Sequence, residues 1–338
     1  MGERIIRIAN ILPEFDRRSL PAYALLALFG TATCLSFAFC RLDLSAVFQF
    51  WALEIAVLVI FVAVMLRRAG HVRIAAALET NAVFIVMAVL LVPVQYPVAM
   101  TTLPMVDRLL FNADHALGFD WRSFANFFSS TRTLWLLKQA YFSMDWQGPV
   151  TLVILAAIGR LDRAWRFVIA AMLAFSIAIV LFPLFPADGQ YVLCGIRPPN
   201  VPAVGQLCEY PQVLHGLRDG TLTKLEPSMA VGMVSFPSAH AAVALLFVWA
   251  IWPIWWLRAP SIVLNVGLCA GAIVIGSHYF VDILGGMVLC VGCVKLAGMS
   301  EEPKARSIEE MLIWAAVALI VVVMIADVAV NGFPPFPA

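Results

Sequence analysis

Charge is what this chain has least of. Asp, Glu, Lys and Arg make up 13% of its 338 residues, against about 25% in soluble domains. The charges nearly cancel, at +1 net, so the electrostatic footprint of a nucleic-acid partner is missing. Histidine is scarce, with five copies. Cysteine gives no metal pattern: Cys290-x-x-Cys293 has the spacing of a redox or zinc pair but no second pair to complete it. No cleavable leader is evident either. Residues 1–19 are polar, and the apolar run from Pro21 to Cys40 is long enough to span, so it reads as a retained helix.

What is present is hydrophobicity: 62% of residues are apolar and the mean hydropathy is +0.92. Apolar stretches fall at about 21–40, 47–66, 74–95, 147–159, 164–184, 240–257, 261–280, 282–298 and 309–329. The expected fold is all-α, a polytopic membrane bundle of about nine transmembrane helices. The fourth stretch is short, and its helix can begin near Thr131 because Leu134-Trp135-Leu136-Leu137 is also apolar. Two segments, roughly 96–146 and 185–239, stay outside the bilayer. Within the first, apolar residues alternate with Asp107, Arg108, Asn112, Asp114 and His115, which predicts an amphipathic helix over 103–117 on the outer surface.

Basic residues orient the chain. With the N-terminus inside, Arg4, Arg7, Arg17, Arg18, Arg67, Arg68, Arg73, Arg160, Arg163, Arg166, Arg258, Lys295, Lys304 and Arg306 fall on the inner side, the majority of the 22 Lys and Arg. That topology puts His240, His278 and Asp282 at one membrane face, the outer one. The histidines had no part in the count.

Two strings carry the chemistry: Phe236-Pro237-Ser238-Ala239-His240 and Gly276-Ser277-His278-Tyr279-Phe280-Val281-Asp282. Ionisable groups beside lipid-embedded helices are costly and mark function. His278 and Asp282 are four apart, which on a helix puts them on one face at about 5–6 Å between Cβ atoms. A carboxylate on one imidazole nitrogen fixes the tautomer and makes the other a better nucleophile. Attack on phosphorus would give a phosphohistidine. His240 would protonate the leaving oxygen and then activate the acceptor, water or an alcohol. Pro237-Ser238 ahead of an apolar run reads as a helix start, whose free amides suit phosphate, with Ser235 and Ser238 as hydroxyl donors.

These strings resemble the type 2 phosphatidic acid phosphatase superfamily, in which a Pro-Ser-x-His string and a later His-x-x-x-Asp string form the active site. The resemblance is closer to the branch containing inositol phosphorylceramide synthase, with Phe-Pro-Ser-x-His and His-Tyr-x-x-Asp. Asp107, Asp114, Gly118-Phe119-Asp120-Trp121 and Leu181-Phe182-Pro183-Leu184-Phe185-Pro186-Ala187 look like the lead-in of its bacterial members. The resemblance implies His278 as nucleophile, Asp282 as its partner and His240 as acid/base. It also implies a six-helix-type core, no metal, no cofactor and a lipid-linked phosphate substrate. The site would lie at the periplasmic face of a bacterial inner membrane.

Two departures bear on the branch. Where the phosphatases have Lys-x6-Arg-Pro, Arg197-Pro198 is present but Gln190 stands at the Lys position. Where they have an Arg six residues before the second histidine, Ala272 stands. The synthase branch also lacks these cations. Arg218, Arg197 and Lys224 are the candidates to balance the phosphate, with Arg218 preferred.

The expected organisation is accessory helices in 1–95, a catalytic domain in 96–300 and a last helix in 301–338. Cys194 and Cys208 are placed to form a loop disulfide if the outer side is oxidising. Glu54 and Glu79 are read as helix–helix hydrogen-bonding groups. His115 and His215 are read as lone loop histidines. A transporter is the alternative class, disfavoured because the histidines sit at helix ends and no internal repeat is visible. A non-catalytic scaffold is the other.

Overall fold

The computed structural model describes residues 17–39, 42–45, 48, 50–100, 103–194, 210–226, 229, 232–274 and 277–298. The predicted span at 309–329, Arg197 and Cys208 lie outside them, and with Cys208 the proposed disulfide.

Among the described residues all regular structure is helical, apart from a lone bridge between Asp43 and Lys224. The chain opens with α1 (Leu20–Phe39), α2 (Phe50–Arg68) and α3 (Val72–Ala99). Then come α4 (Asp107–Ala116), α5 (Trp121–Phe127), α6 (Thr131–Phe142), α7 (Met144–Ala157) and α8 (Leu161–Leu181). After α9 (Gln190–Leu193) and α10 (Tyr210–Arg218), the chain closes on α11 (Ala239–Ile251), α12 (Trp255–Val274) and α13 (Phe280–Ala297). Five helices, α1, α3, α8, α12 and α13, are long and apolar enough to cross a membrane. The molecule is an integral membrane protein built as a helical bundle.

α8 is the centre of that bundle. It packs on α3, α11 and α13, and Trp165, Phe167, Val168, Ala170, Ala171 and Met172 along it are buried. Phe167 lies between Phe84 of α3 and Phe247 of α11, with ring centroids 5.7 and 5.8 Å away. In lipid, side-chain packing rather than exclusion of water holds helices together. Val57, Phe61, Val263 and Val266 correspondingly point outward, uncovered.

Glu79 is fully buried on α3. It accepts the Tyr23 hydroxyl at 2.8 Å and pairs with Arg67. One carboxylate therefore joins α1, α2 and α3, a use of the helix–helix bonding expected of it. Cys290 and Cys293 are buried in the packing between helices, and both are free thiols.

The break between the sixth and seventh stretches lies earlier than its sequence expectation. The sixth stretch ends at Ile251 rather than near 257, and α12 already begins at Trp255. Pro253 accounts for this: it has no N–H to donate to the Trp249 carbonyl one turn back, and its ring crowds that carbonyl. Arg163 of α8 then takes up the exposed C-terminal carbonyls of α11. It donates to the Ala250 carbonyl at 3.0 Å and to that of Trp249, and its guanidinium lies 4.1 Å over the Trp249 ring. The fourth stretch starts at Thr131, capped by Ser130, and runs as α6 and α7 with Ser143 between them.

Candidate active site

The two histidine strings meet at one end of the bundle because the helices that carry them approach unusually closely. A Cβ on Gly286 of α13 would overlap the Ser238 carbonyl and lie 2.9 Å from the Ala241 Cβ. Only glycine lets α13 reach the start of α11. The main chains join there, with the Ser238 amide donating to the Asp282 carbonyl at 3.0 Å. Gly286→Ala is expected to push the strings apart and cost about 1–3 kcal/mol of stability. Turnover should fall by about 100-fold, since misplacement by 1 Å has that effect. Thermal unfolding and kcat measured on the same preparation check this.

Ser238 caps α11, its Oγ accepting the Ala241 amide at 3.3 Å. The Ala239 and His240 amides have no acceptor among the described residues. Two open N–H groups and the positive end of a 13-residue helix thus point out of the N-terminus of α11. His240 is steadied by Tyr141 of α6, stacked on it at 4.8 Å. Tyr141 reaches that position because Gly271 of α12 lets α6 close in. A Cβ at Gly271 would be 2.9 Å from the Leu137 carbonyl.

The chemical groups form a chain. Asp282 Oδ2 is 3.4 Å from His278 Nδ1. His278 Nε2 is 3.2 Å from His240 Nδ1 and 3.4 Å from Ser238 Oγ. With Nδ1–H directed at Asp282, the free lone pair of His278 is on Nε2, and it accepts from His240 Nδ1–H. Such an arrangement is chemically able to present a nucleophile, with an orienting carboxylate behind it and a proton donor in front.

Burial pushes the His278 imidazole down to about 4, with the Ser235 main-chain carbonyl pulling the other way. Only the neutral imidazole can attack, and it is lost only as pH falls through that value. The acid limb of kcat/KM is therefore expected near pH 4, below the usual imidazole range, in a rate profile on detergent-solubilised protein.

A second layer lies behind these groups and comes from α4. Asp114 accepts the Phe280 amide at 2.9 Å, the Val281 amide at 2.8 Å and the Gln190 side-chain amide. Asp107 accepts the Tyr279 hydroxyl at 2.7 Å and the amides of Asp188 and Gly189 at 3.0 and 2.9 Å. Burial raises Asp114 to about 7 and Asp107 to about 6, opposed by those same hydrogen bonds. The helix expected over 103–117 exists, but its carboxylates face inward rather than water. The helix-start and loop amides beneath them supply the reason, because each buried donor needs an acceptor.

The remaining predicted residues are placed as follows. Ser235 is buried, its hydroxyl donating to the Phe185 carbonyl at 3.2 Å. Arg218 donates to the Leu103 carbonyl, while Nη1 is buried without a partner. Lys224 is exposed and paired with Glu226 at 2.8 Å. Neither cation hydrogen-bonds to the histidines among the described residues. His215 is not alone: its Nε2 lies 3.0 Å from Asp188 Oδ2.

The family model of the PAP2 superfamily matches residues 108–296, more than half of the chain. The chain belongs to that superfamily. No curated protein and no solved structure matches it. PAP2 membership supports a phosphatase-type activity on lipid phosphates within membranes. Sequence reasoning had only a weak lead-in to offer for Asp107 and Asp114, and nothing for Tyr141. The signal available for the aspartates was two acids seven apart on an amphipathic stretch, which is also the pattern of a wetted surface helix.

Proposed function

We propose that the protein moves a phosphoryl or phospho-headgroup from a lipid through a phosphohistidine on His278, with an alcohol as the acceptor. The observation that carries this is the relay Asp282–His278–His240, with 3.4 and 3.2 Å between successive partners. His278 Nε2 attacks phosphorus and the P–O bond to the lipid breaks. His240, protonated in the presence of the anionic substrate, gives its proton to the departing oxygen. The same imidazole then takes a proton from the acceptor, whose oxygen displaces His278.

The phosphate oxygens would sit at the α11 N-terminus, on the open Ala239 and His240 amides and the Ser238 hydroxyl. Arg218, through its unpartnered Nη1, is the cation we assign to balance the charge. The distribution of Lys and Arg supports an outward-facing site and an inner N-terminus.

Two positions support the inositol phosphorylceramide synthase-like branch. Ala272, where lipid phosphatases carry Arg, is fully buried. Gln190, where they carry Lys, is committed to Asp114. A strict lipid phosphate or polyprenyl (pyro)phosphate phosphatase is the alternative reading, and it rests on the superfamily match.

Purified protein in micelles, given a lipid monophosphate or a phosphodiester lipid with and without a long-chain alcohol, separates the two. A phosphorylated alcohol appearing only with acceptor is expected. Free phosphate released at the same rate without acceptor would establish the phosphatase instead.

A further inference from the structure

Asp114 has no place in the reaction just described, yet it is among the most enclosed polar groups of the molecule, 1% exposed. Its partners explain where it acts. Phe280 and Val281 supply the first two amides of α13, the helix that carries Asp282 one residue further on. Asp282 itself accepts the amide before them, that of Tyr279, at 2.9 Å on Oδ2, the oxygen it presents to His278. Two carboxylates from different helices thus share the three consecutive donors at one helix start. Without Asp114 the Phe280 and Val281 amides lose their acceptor at the helix start that carries Asp282, whose Oδ1 is buried without a partner. Turning that carboxylate towards the uncapped amides would draw Oδ2 off the imidazole.

We propose that Asp114 is a positioning residue for the His278–Asp282 pair, and that Gln190 holds it in place. By satisfying Phe280 N and Val281 N, Asp114 leaves Asp282 Oδ2 aimed at His278 Nδ1. Gln190 donates its side-chain amide to the same Oδ2 of Asp114, fixing the carboxylate from the far side. This assignment explains why an amide rather than an ammonium stands at Gln190. An ammonium there would pair with Asp114 as a full charge and compete with the two amides for its oxygens. The inference rests on the phosphohistidine reading above.

The test compares Asp114→Ala, Asp114→Asn, Gln190→Ala, Asp282→Asn and the double variant Asp114→Ala/Asp282→Asn. The substrate is dioctanoyl phosphatidic acid with a long-chain alcohol as acceptor in detergent micelles, and each rate is taken per mole of folded, monodisperse protein. Asp114→Ala is expected to lower kcat about 100-fold with KM within about threefold of the parent. Asp114→Asn, which keeps one oxygen acceptor, should recover part of that loss. In the Asp282→Asn background the further change should be less than about threefold, because the residue acts through Asp282.

A parental kcat in Asp114→Ala, or a full second loss in the double variant, overturns the proposal. If the Asp114 variants do not fold, Gln190→Ala decides: lower kcat at unchanged KM supports the proposal and parental kcat overturns it. His278→Ala distinguishes the levels. Turnover surviving in that variant sinks the phosphohistidine itself, whereas its loss beside an unaffected Asp114→Ala sinks only the positioning role.

Discussion

Alanine at position 278 is expected to lower lipid phosphate turnover by at least about 1,000-fold while the protein still folds. The geometry explains why the two effects separate. His278 sits in the link between α12 and α13, and its ring meets the relay side chains Asp282, His240 and Ser238 together with the Ser235 main-chain carbonyl. Asp282 keeps its hydrogen bond to the Tyr279 amide without the imidazole, and Ser238 keeps its place as the cap of α11. The Ser235 carbonyl loses the imidazole as a partner, a modest cost. What disappears is the atom proposed to bond to phosphorus. The readout is labelled phosphate carried from a lipid to the protein. The parent should show a label stable in alkali and released by acid, as a phosphoramidate is, and the variant should show none. Full turnover with an alkali-stable label in His278→Ala would sink the covalent mechanism.

The second large effect is expected at His240. In the proposed reaction its ring serves both halves, so His240→Ala should lower overall turnover by about 100- to 10,000-fold, the usual range for a positioned acid/base. The two halves will not suffer equally. A donor with a good leaving group, such as a nitrophenyl phosphate ester, needs little help to depart. With that donor the first step should survive and the second should stall. His240→Ala is then expected to accumulate labelled protein that the parent turns over too fast to hold. Rapid quenching within one turnover measures this directly. An equal loss with both donors and no accumulated label would mean that His240 does not serve the acceptor. Tyr141 tests the support of that ring. Replacing it by leucine removes the stacking partner at 4.8 Å and should lower kcat by a smaller factor than the loss of His240 itself.

The helices and the His278–Asp282 pair were legible because both depend on local pattern. Apolar length marks a membrane helix, and the i, i+4 spacing puts His278 beside Asp282. The break at Pro253 was visible as a residue, but its effect was outweighed by the apolar run through Trp252, Trp255 and Trp256. Asp107 and Asp114 were read the wrong way round. Amphipathic spacing identifies two faces without saying which one meets water. Here the acid face turns inward because a distant helix start, 166 residues away in the case of Phe280 and Asp114, needs acceptors. Arg218 shows the same limit. Its charge suggested a phosphate partner, and its hydrogen bond to Leu103 adds a pairing across the fold that no local pattern records. His215 found Asp188 for the same reason.

Two helix starts face each other across the proposed site, and they are not alike. That of α13 is already filled by the Asp114 carboxylate, while that of α11 keeps its first amides open. In the proposed reaction a phosphorus centre therefore has one cradle, bordered by both His278 and His240. The departing and arriving oxygens must use the same apical position. Each displacement inverts the configuration at phosphorus, and two in succession restore it. A donor made chiral with oxygen isotopes should yield a product of retained handedness.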